Sequence, residues 1–139
     1  MNGSPGNDLG KFLAKIGPQP SASATSIAEC EQKLGRALPA EYVQFLSMMD
    51  GGEGFINREY VIFYSVGDII SVNQSDEIEK AAPGLVVFGS DGGGEAYGFD
   101  TRDPKWPVVQ LPFIGMEWSA AWPKGDSFYG FLVTLYESD

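Results

Sequence analysis

The sequence predicts an α+β fold, a mainly antiparallel sheet of four or more strands with helices packed on one face. Three observations carry this expectation. Residues 27–52 and 127–135 hold apolar side chains at helical spacing between start and stop signals. Residues 60–65 alternate Tyr60, Ile62 and Tyr64 with Val61, Phe63 and Ser65, the period of a strand. Leu85–Phe88, Ala96–Phe99 and Val108–Leu111 are short β-rich runs divided by turn-rich segments, which favours hairpins over crossovers.

Residues 1–24 are poor in core residues and carry GSPG and GPQPSASA. They read as a loose leader with a helical turn over 8–15, and the folded domain is placed at 25–139. The first helix begins near Ile27, where Ser26 and Glu29 have capping-box spacing. Ile27, Cys30 and Leu34 form its apolar stripe, and Gly35 suits the left-handed residue that ends a helix. Pro39 fits the first turn of a second helix, since proline lacks only an amide that would go unused there. Tyr42, Phe45, Leu46 and Met49 recur at i, i+3, i+4 and i+7, and Asp50, Gly51 and Gly52 stop the run. After the strand at 60–65, helix-like residues cover 68–73 and 76–82 and end at Pro83-Gly84. Asp126 is the expected cap of a closing helix whose face is Phe128, Phe131, Leu132 and Leu135.

Glu29, Glu31, Leu38, Pro39, Tyr42, Phe45, Leu46, Gly51 and Gly52 resemble the signature of the SUKH superfamily, in particular its Smi/Knr-type group. In that signature a glutamate-bearing helix leads to Leu-Pro, an aromatic helix and a Gly-Gly stop. Residues 86–102, VVFGSDGGGEAYGFDTR, are similar to the family's strand, glycine-rich turn and second strand ending at Asp100. Ser127, Phe128, Phe131, Leu132 and Leu135 resemble its closing helix. The three blocks occur in the family's order over roughly residues 25–136, which is more specific than any one glycine-rich motif.

Composition bounds the function independently. The 139 residues amount to about one domain, and 43% hydrophobic with 13% aromatic residues is a globular composition. No apolar run approaches the ~20 residues that span a bilayer. The N-terminal residues lack the apolar segment and small-residue site of a secretory signal, so a cytoplasmic location is expected. The lone cysteine, Cys30, lies on the apolar stripe of the first helix and reads as core, which agrees with a reducing compartment. Nineteen acids against nine bases and no histidine give a formal charge of −10. That balance disfavours nucleic acid, whose phosphates demand clustered lysine and arginine, and it suits a basic protein partner. Ordinary solubility of a cytosolic protein also accounts for net acidity.

Without histidine the chain lacks the commonest general base and metal ligand, which removes Ser-His, Cys-His and histidine-zinc chemistry. One cysteine removes multi-cysteine zinc sites, and no GxxxxGK[ST] run cradles nucleotide phosphates. No catalytic residue, metal site or cofactor is expected. Three sets of residues still carry potential chemistry. Gly89–Gly94 has the amides of an anion nest, but a strand follows it and Asp91 and Glu95 repel phosphate, so it reads as a tight connection between strands. Asp91, Glu95, Asp100 and Asp103 do not match a calcium-loop spacing. Their separation, which decides whether a carboxylate pair can act in hydrolysis, is a three-dimensional fact that spacing does not reveal.

The third set is an acidic, aromatic surface of Glu53, Asp91, Glu95, Asp100, Asp103, Trp106 and Trp118. Aromatic anchors ringed by charge are what tight protein interfaces use. The other reading of each residue is an ordinary surface acid or a core tryptophan. The resemblance implies which partner such a surface would meet. SUKH proteins are mostly bacterial immunity proteins that bind and neutralise a cognate toxin, often a nuclease. The expected function is therefore occlusion of a toxin's basic active cleft by a monomer or weak dimer, without catalysis. Fungal relatives serve instead as regulators and scaffolds of cell-wall synthesis, which makes that role the first alternative, and a carboxylate-based hydrolase is the second.

Overall fold

The computed structural model describes residues 5–17 and 19–138. Helices α1 (Pro5–Phe12), α2 (Ala24–Leu34) and α3 (Ala40–Met48) precede the hairpin β1 (Gly52–Ile56) and β2 (Glu59–Phe63). Two short helices, α4 (Val66–Gln74) and α5 (Asp76–Ala81), then lead to β3 (Leu85–Ser90), β4 (Glu95–Asp100) and β5 (Val108–Pro112). A single 3₁₀ turn at Trp118–Ala120, the edge strand β6 (Trp122–Gly125) and helix α6 (Phe128–Tyr136) complete the order. The six strands form one antiparallel sheet in the order β1-β2-β3-β4-β5-β6, so the α+β class and the antiparallel sheet read from the sequence hold.

One face of the sheet carries the main core. Val61 and Phe63 of β2, Val86 and Phe88 of β3, and Tyr97 and Phe99 of β4 meet Tyr42 and Phe45 of α3 and Phe128, Phe131 and Leu135 of α6, all buried. Phe128 sits at the centre of this cluster, with ring centroids 5.0 Å from Tyr42, 5.3 Å from Phe45 and 5.7 Å from Phe88. Cys30 is wholly buried in the same core, and burial pushes its thiol up to about 11.

Residues of the signature block, and Glu41 and Asp50 beside them, act as joints between elements. The Leu38 amide donates to the Glu31 carboxylate at 2.7 Å, tying the end of α2 to the Leu-Pro step. Asp50 accepts from the Val66 amide at the start of α4 (2.8 Å), and Glu41 accepts from the Tyr129 amide at the start of α6 (3.0 Å). Both carboxylates satisfy helix-start donors that would otherwise stay bare. Gly51 adopts φ 81° with its Cβ position 2.6 Å from the Phe63 carbonyl oxygen. Any side chain there would collide with β2.

Several boundaries differ from the sequence reading. Helix α2 starts one turn earlier than expected, because Ser23, not Ser26, is the cap and accepts from the Ser26 amide at 3.0 Å. Pro39 is itself the N-cap of α3, and Ser127, not Asp126, caps α6. Strands β1 and β6 were not expected. Strand β1 is glycine-rich and persists because it pairs along its whole length with β2, while β6 tolerates Pro123 as an edge strand can. The reading of 1–24 as a loose leader fails for its described core residues. Leu9, Phe12, Leu13 and Ile16 are buried, and Ile16 bridges Gly54 along the outer edge of β1. Residues 1–4 and Pro18 lie outside the described residues.

Strand β2 leaves β3 after only two paired positions, Ile62 with Ser90 and Phe63 with Gly89. Helix α4 fills the gap. The Asn73 side chain accepts from the Val87 amide at 2.9 Å and donates to the Val87 carbonyl at 2.8 Å, taking the place of a strand partner. Val66 and Ile69 of α4 join the main core, while Val72 reaches a smaller cluster on the opposite, outer face. That cluster holds Leu85, Val87, Ala96 and Leu111, with Ile78, Met116 and Trp118 packed against it.

Candidate protein-binding surface

The seven residues singled out from the sequence fall into two groups at opposite ends of the β3–β4 hairpin. Glu95 opens β4 and Asp100 closes it, so the two ends lie about 17 Å apart at the ~3.4 Å rise of an antiparallel strand. Glu53, Asp91 and Glu95 belong to the end with the glycine-rich turn. Asp100, Asp103, Trp106 and Trp118 belong to the other, and the structure does not bring the two groups together.

At the glycine-rich end the turn is built by Asp91, whose Oδ1 accepts from the Gly93 amide at 2.7 Å and the Glu95 amide at 3.0 Å. Gly92 (φ 77°) lies against β2, its Cβ position 3.4 Å from the Tyr60 ring. This contact seats the turn beside the β1–β2 hairpin and so joins Asp91 to Glu53 and Tyr60. The Tyr60 hydroxyl donates to Glu53 Oε2, and that hydrogen bond holds the phenol above its ordinary value. Phe55, 50% exposed, packs edge-on against Tyr60 with centroids 5.1 Å apart. Glu95 accepts from Gln110 Nε2 at 3.2 Å. The buried Tyr97 phenol is pushed well up, first by burial and then by the charges of Asp91, Glu59 and Glu95. The tip of the sheet thus gathers four carboxylates and a half-exposed aromatic pair, with Arg58 in the β1–β2 turn and Lys11 and Lys15 lining the cleft beside Phe55. Sequence reasoning missed Phe55, Tyr60 and Glu59; the signal was there in the Ile56–Glu59 step, where Asn57 at φ 56° turns a two-residue hairpin.

The opposite end is charge-compensated. Arg102 grips Asp100 in a bidentate pair, Nε to Oδ1 at 2.9 Å and Nη2 to Oδ2 at 3.1 Å, and holds its carboxyl below the usual range. The same guanidinium lies 3.6 Å over the Trp118 ring, and Trp118 Nε1 donates to the Pro83 carbonyl at 2.9 Å. Asp103 caps its own turn by accepting from the Lys105 amide at 2.9 Å. Trp106, at φ 51°, packs on Phe99 at 5.7 Å and is half-buried. All four of these residues have local structural partners that account for them.

Among the described residues no group of three or more histidine, cysteine, aspartate or glutamate side chains is arranged to hold a metal ion, and no helix is long and apolar enough to cross a membrane. One antiparallel sheet, a helix-covered inner face and a partly open outer face with an acidic tip define a small α+β domain. The chain belongs to the SMI1 / KNR4 family (SUKH-1), whose sequence model matches residues 21–132, from ahead of α2 into α6. No curated protein matches the chain significantly.

Proposed function

We propose that this chain is a non-enzymatic immunity protein that acts in the cytoplasm, binding a basic, nuclease-type toxin domain and covering its active cleft. The observation that carries the reading is the acidic sheet tip, in a family member of formal charge −10. Glu53 and Asp91 flank the Phe55–Tyr60 pair, and Glu59 and Glu95 stand at the same end of the sheet. The carboxylates would steer a basic surface into contact and the rings would supply buried area once there. Hydrolysis is disfavoured because Glu53, Asp91 and Glu95 are each engaged with Tyr60, turn amides or Gln110, and because Asp100, which lines one cleft with Asp126, is held by Arg102. Asp100 and Trp118, held by Arg102, contribute at most the margin of this surface.

The test is co-expression of the open reading frame beside this gene with and without the chain. Growth arrest relieved by the chain, with a stable complex of the two products, is the expected result. Recovery of cell-wall or signalling enzymes as the only partners would replace this reading with that of a regulatory scaffold.

A further inference from the structure

On the outer face, α4 and α5 form one wall of a cleft of about 570 Å³, and the segment after β5 forms the other. Val72 and Ile78 line the helical wall, and Phe113 and Met116 the opposite one. Val72, Ile78 and Met116 rest on the outer-face cluster, so the floor is fixed by the sheet. The lip is left bare: Ile114 is 94% exposed and Phe113 39% exposed. Phe113 and Ile114 continue the apolar lining of the cleft onto the surface, and it is such contiguous apolar patches, rather than single exposed residues, that mark interaction sites. Charge decides what covers this one. The lining residues include Glu77 and neither lysine nor arginine. Glu117 follows Met116, and Asp68 lies one helical turn before Val72; both are exposed. Lys80, the nearest base in sequence on α5, is paired with Asp76 at 3.5 Å.

We infer that this cleft is a second docking site, for a basic amphipathic segment of a protein partner whose apolar side chains cover Ile114 and whose lysines or arginines meet Glu77, Glu117 and Asp68. Apolar anchoring inside an acidic rim is the mode by which grooves take basic amphipathic segments. The site is separate from the acidic tip and stands whether or not that partner is a toxin.

Nuclear magnetic resonance titration of the full chain with a 15-residue leucine/lysine amphipathic peptide tests it. Shifts should concentrate at residues 71–81 and 113–117. The same peptide with lysine replaced by glutamate, or with leucine replaced by serine, should leave those residues unmoved. Ile114→Ser, a change at a solvated position that keeps the circular dichroism spectrum, should weaken binding about tenfold, the effect of truncating one interface anchor. Glu77→Gln with Glu117→Gln should weaken it further and flatten its salt dependence. Equal response to the glutamate or serine peptide, shifts confined to the acidic tip, or no shifts at all would overturn the inference. So would concentration-dependent self-association through Ile114 in the absence of peptide, since a second copy would then be the occupant.

Discussion

The inner and outer faces of the sheet are built from the same strands and do different work. Residue by residue, the strands send Val86, Phe88, Tyr97 and Phe99 inward to a seamless aromatic core, and Leu85, Val87, Ala96 and Leu111 outward to a thin cluster that α4, α5 and the 113–121 segment cover only in part. Strand alternation alone produces this division. Stability is concentrated where the helices lie, and the acids and exposed rings are left where they do not. Substitutions on the two faces should therefore separate into those that unfold the chain and those that change only what it binds.

The largest effect should come from Phe128→Ala, which empties the centre of the inner cluster. A loss of about 3–5 kcal/mol by denaturant unfolding is expected for a buried aromatic truncated to alanine. A loss under about 1 kcal/mol would mean that the inner face does not dominate stability.

Asn73→Ala tests the seam between the faces. It strands the Val87 amide and carbonyl where β2 has diverged, and should cost about 2 kcal/mol, the penalty for leaving buried backbone groups unpaired. Asn73→Asp keeps the acceptor and loses the donor, so it should destabilise as well, and fast exchange of the Val87 amide should appear only in the alanine variant.

Cys30 probes the inner face without a substitution. Its thiol should resist alkylation at pH 8 in the folded chain and react freely in denaturant. Because burial raises its pKa from an ordinary 9.0 to about 11, the unfolded chain ionises first as pH rises. The stability contributed by the neutral buried thiol is present below pH 9 and lost between about pH 9 and pH 11.

The outer features should move stability least. Asp100 is held below its ordinary value by Arg102, so its contribution is present at neutral pH and is lost as pH falls through the folded value. With Arg102 53% exposed, the effect is that of a surface ion pair, and Asp100→Asn should lower stability only slightly. The triple change Glu53→Gln, Asp91→Asn, Glu95→Gln should shift the unfolding midpoint least of all, since amide oxygens can still accept the turn's hydrogen bonds.

Much of the inner face was legible in the sequence. Tyr42, Phe45 and Leu46, and later Phe128, Phe131, Leu132 and Leu135, advertise one-sided helices, and all seven are buried. Leu9, Phe12, Leu13 and Ile16 have the same i, i+3, i+4, i+7 spacing, but glycines and prolines on either side masked it. The α4 seam was not legible, because Asn73 acts on Val87 fourteen positions away and no local pattern encodes such a pairing. The candidate surface was half legible. Glu53, Asp91 and Glu95 do share one end of the sheet, but a strand's length separates them from Asp100, Asp103, Trp106 and Trp118. Sequence proximity across Glu95–Asp100 hides that distance because an extended strand carries its ends apart. The aromatic partners at the acidic tip are Phe55 and Tyr60, set there by a glycine-rich strand that propensity argues against.

The most direct measurement is affinity capture from the source cell with two baits, the natural chain and its Glu53→Gln, Asp91→Asn, Glu95→Gln variant, compared by quantitative mass spectrometry. If the acidic tip draws a basic partner, one basic protein should be enriched on the natural chain, released by salt, and depleted about tenfold or more on the variant, as expected for loss of several steering and anchoring charges. Equal recovery of the same proteins on both baits would contradict the account.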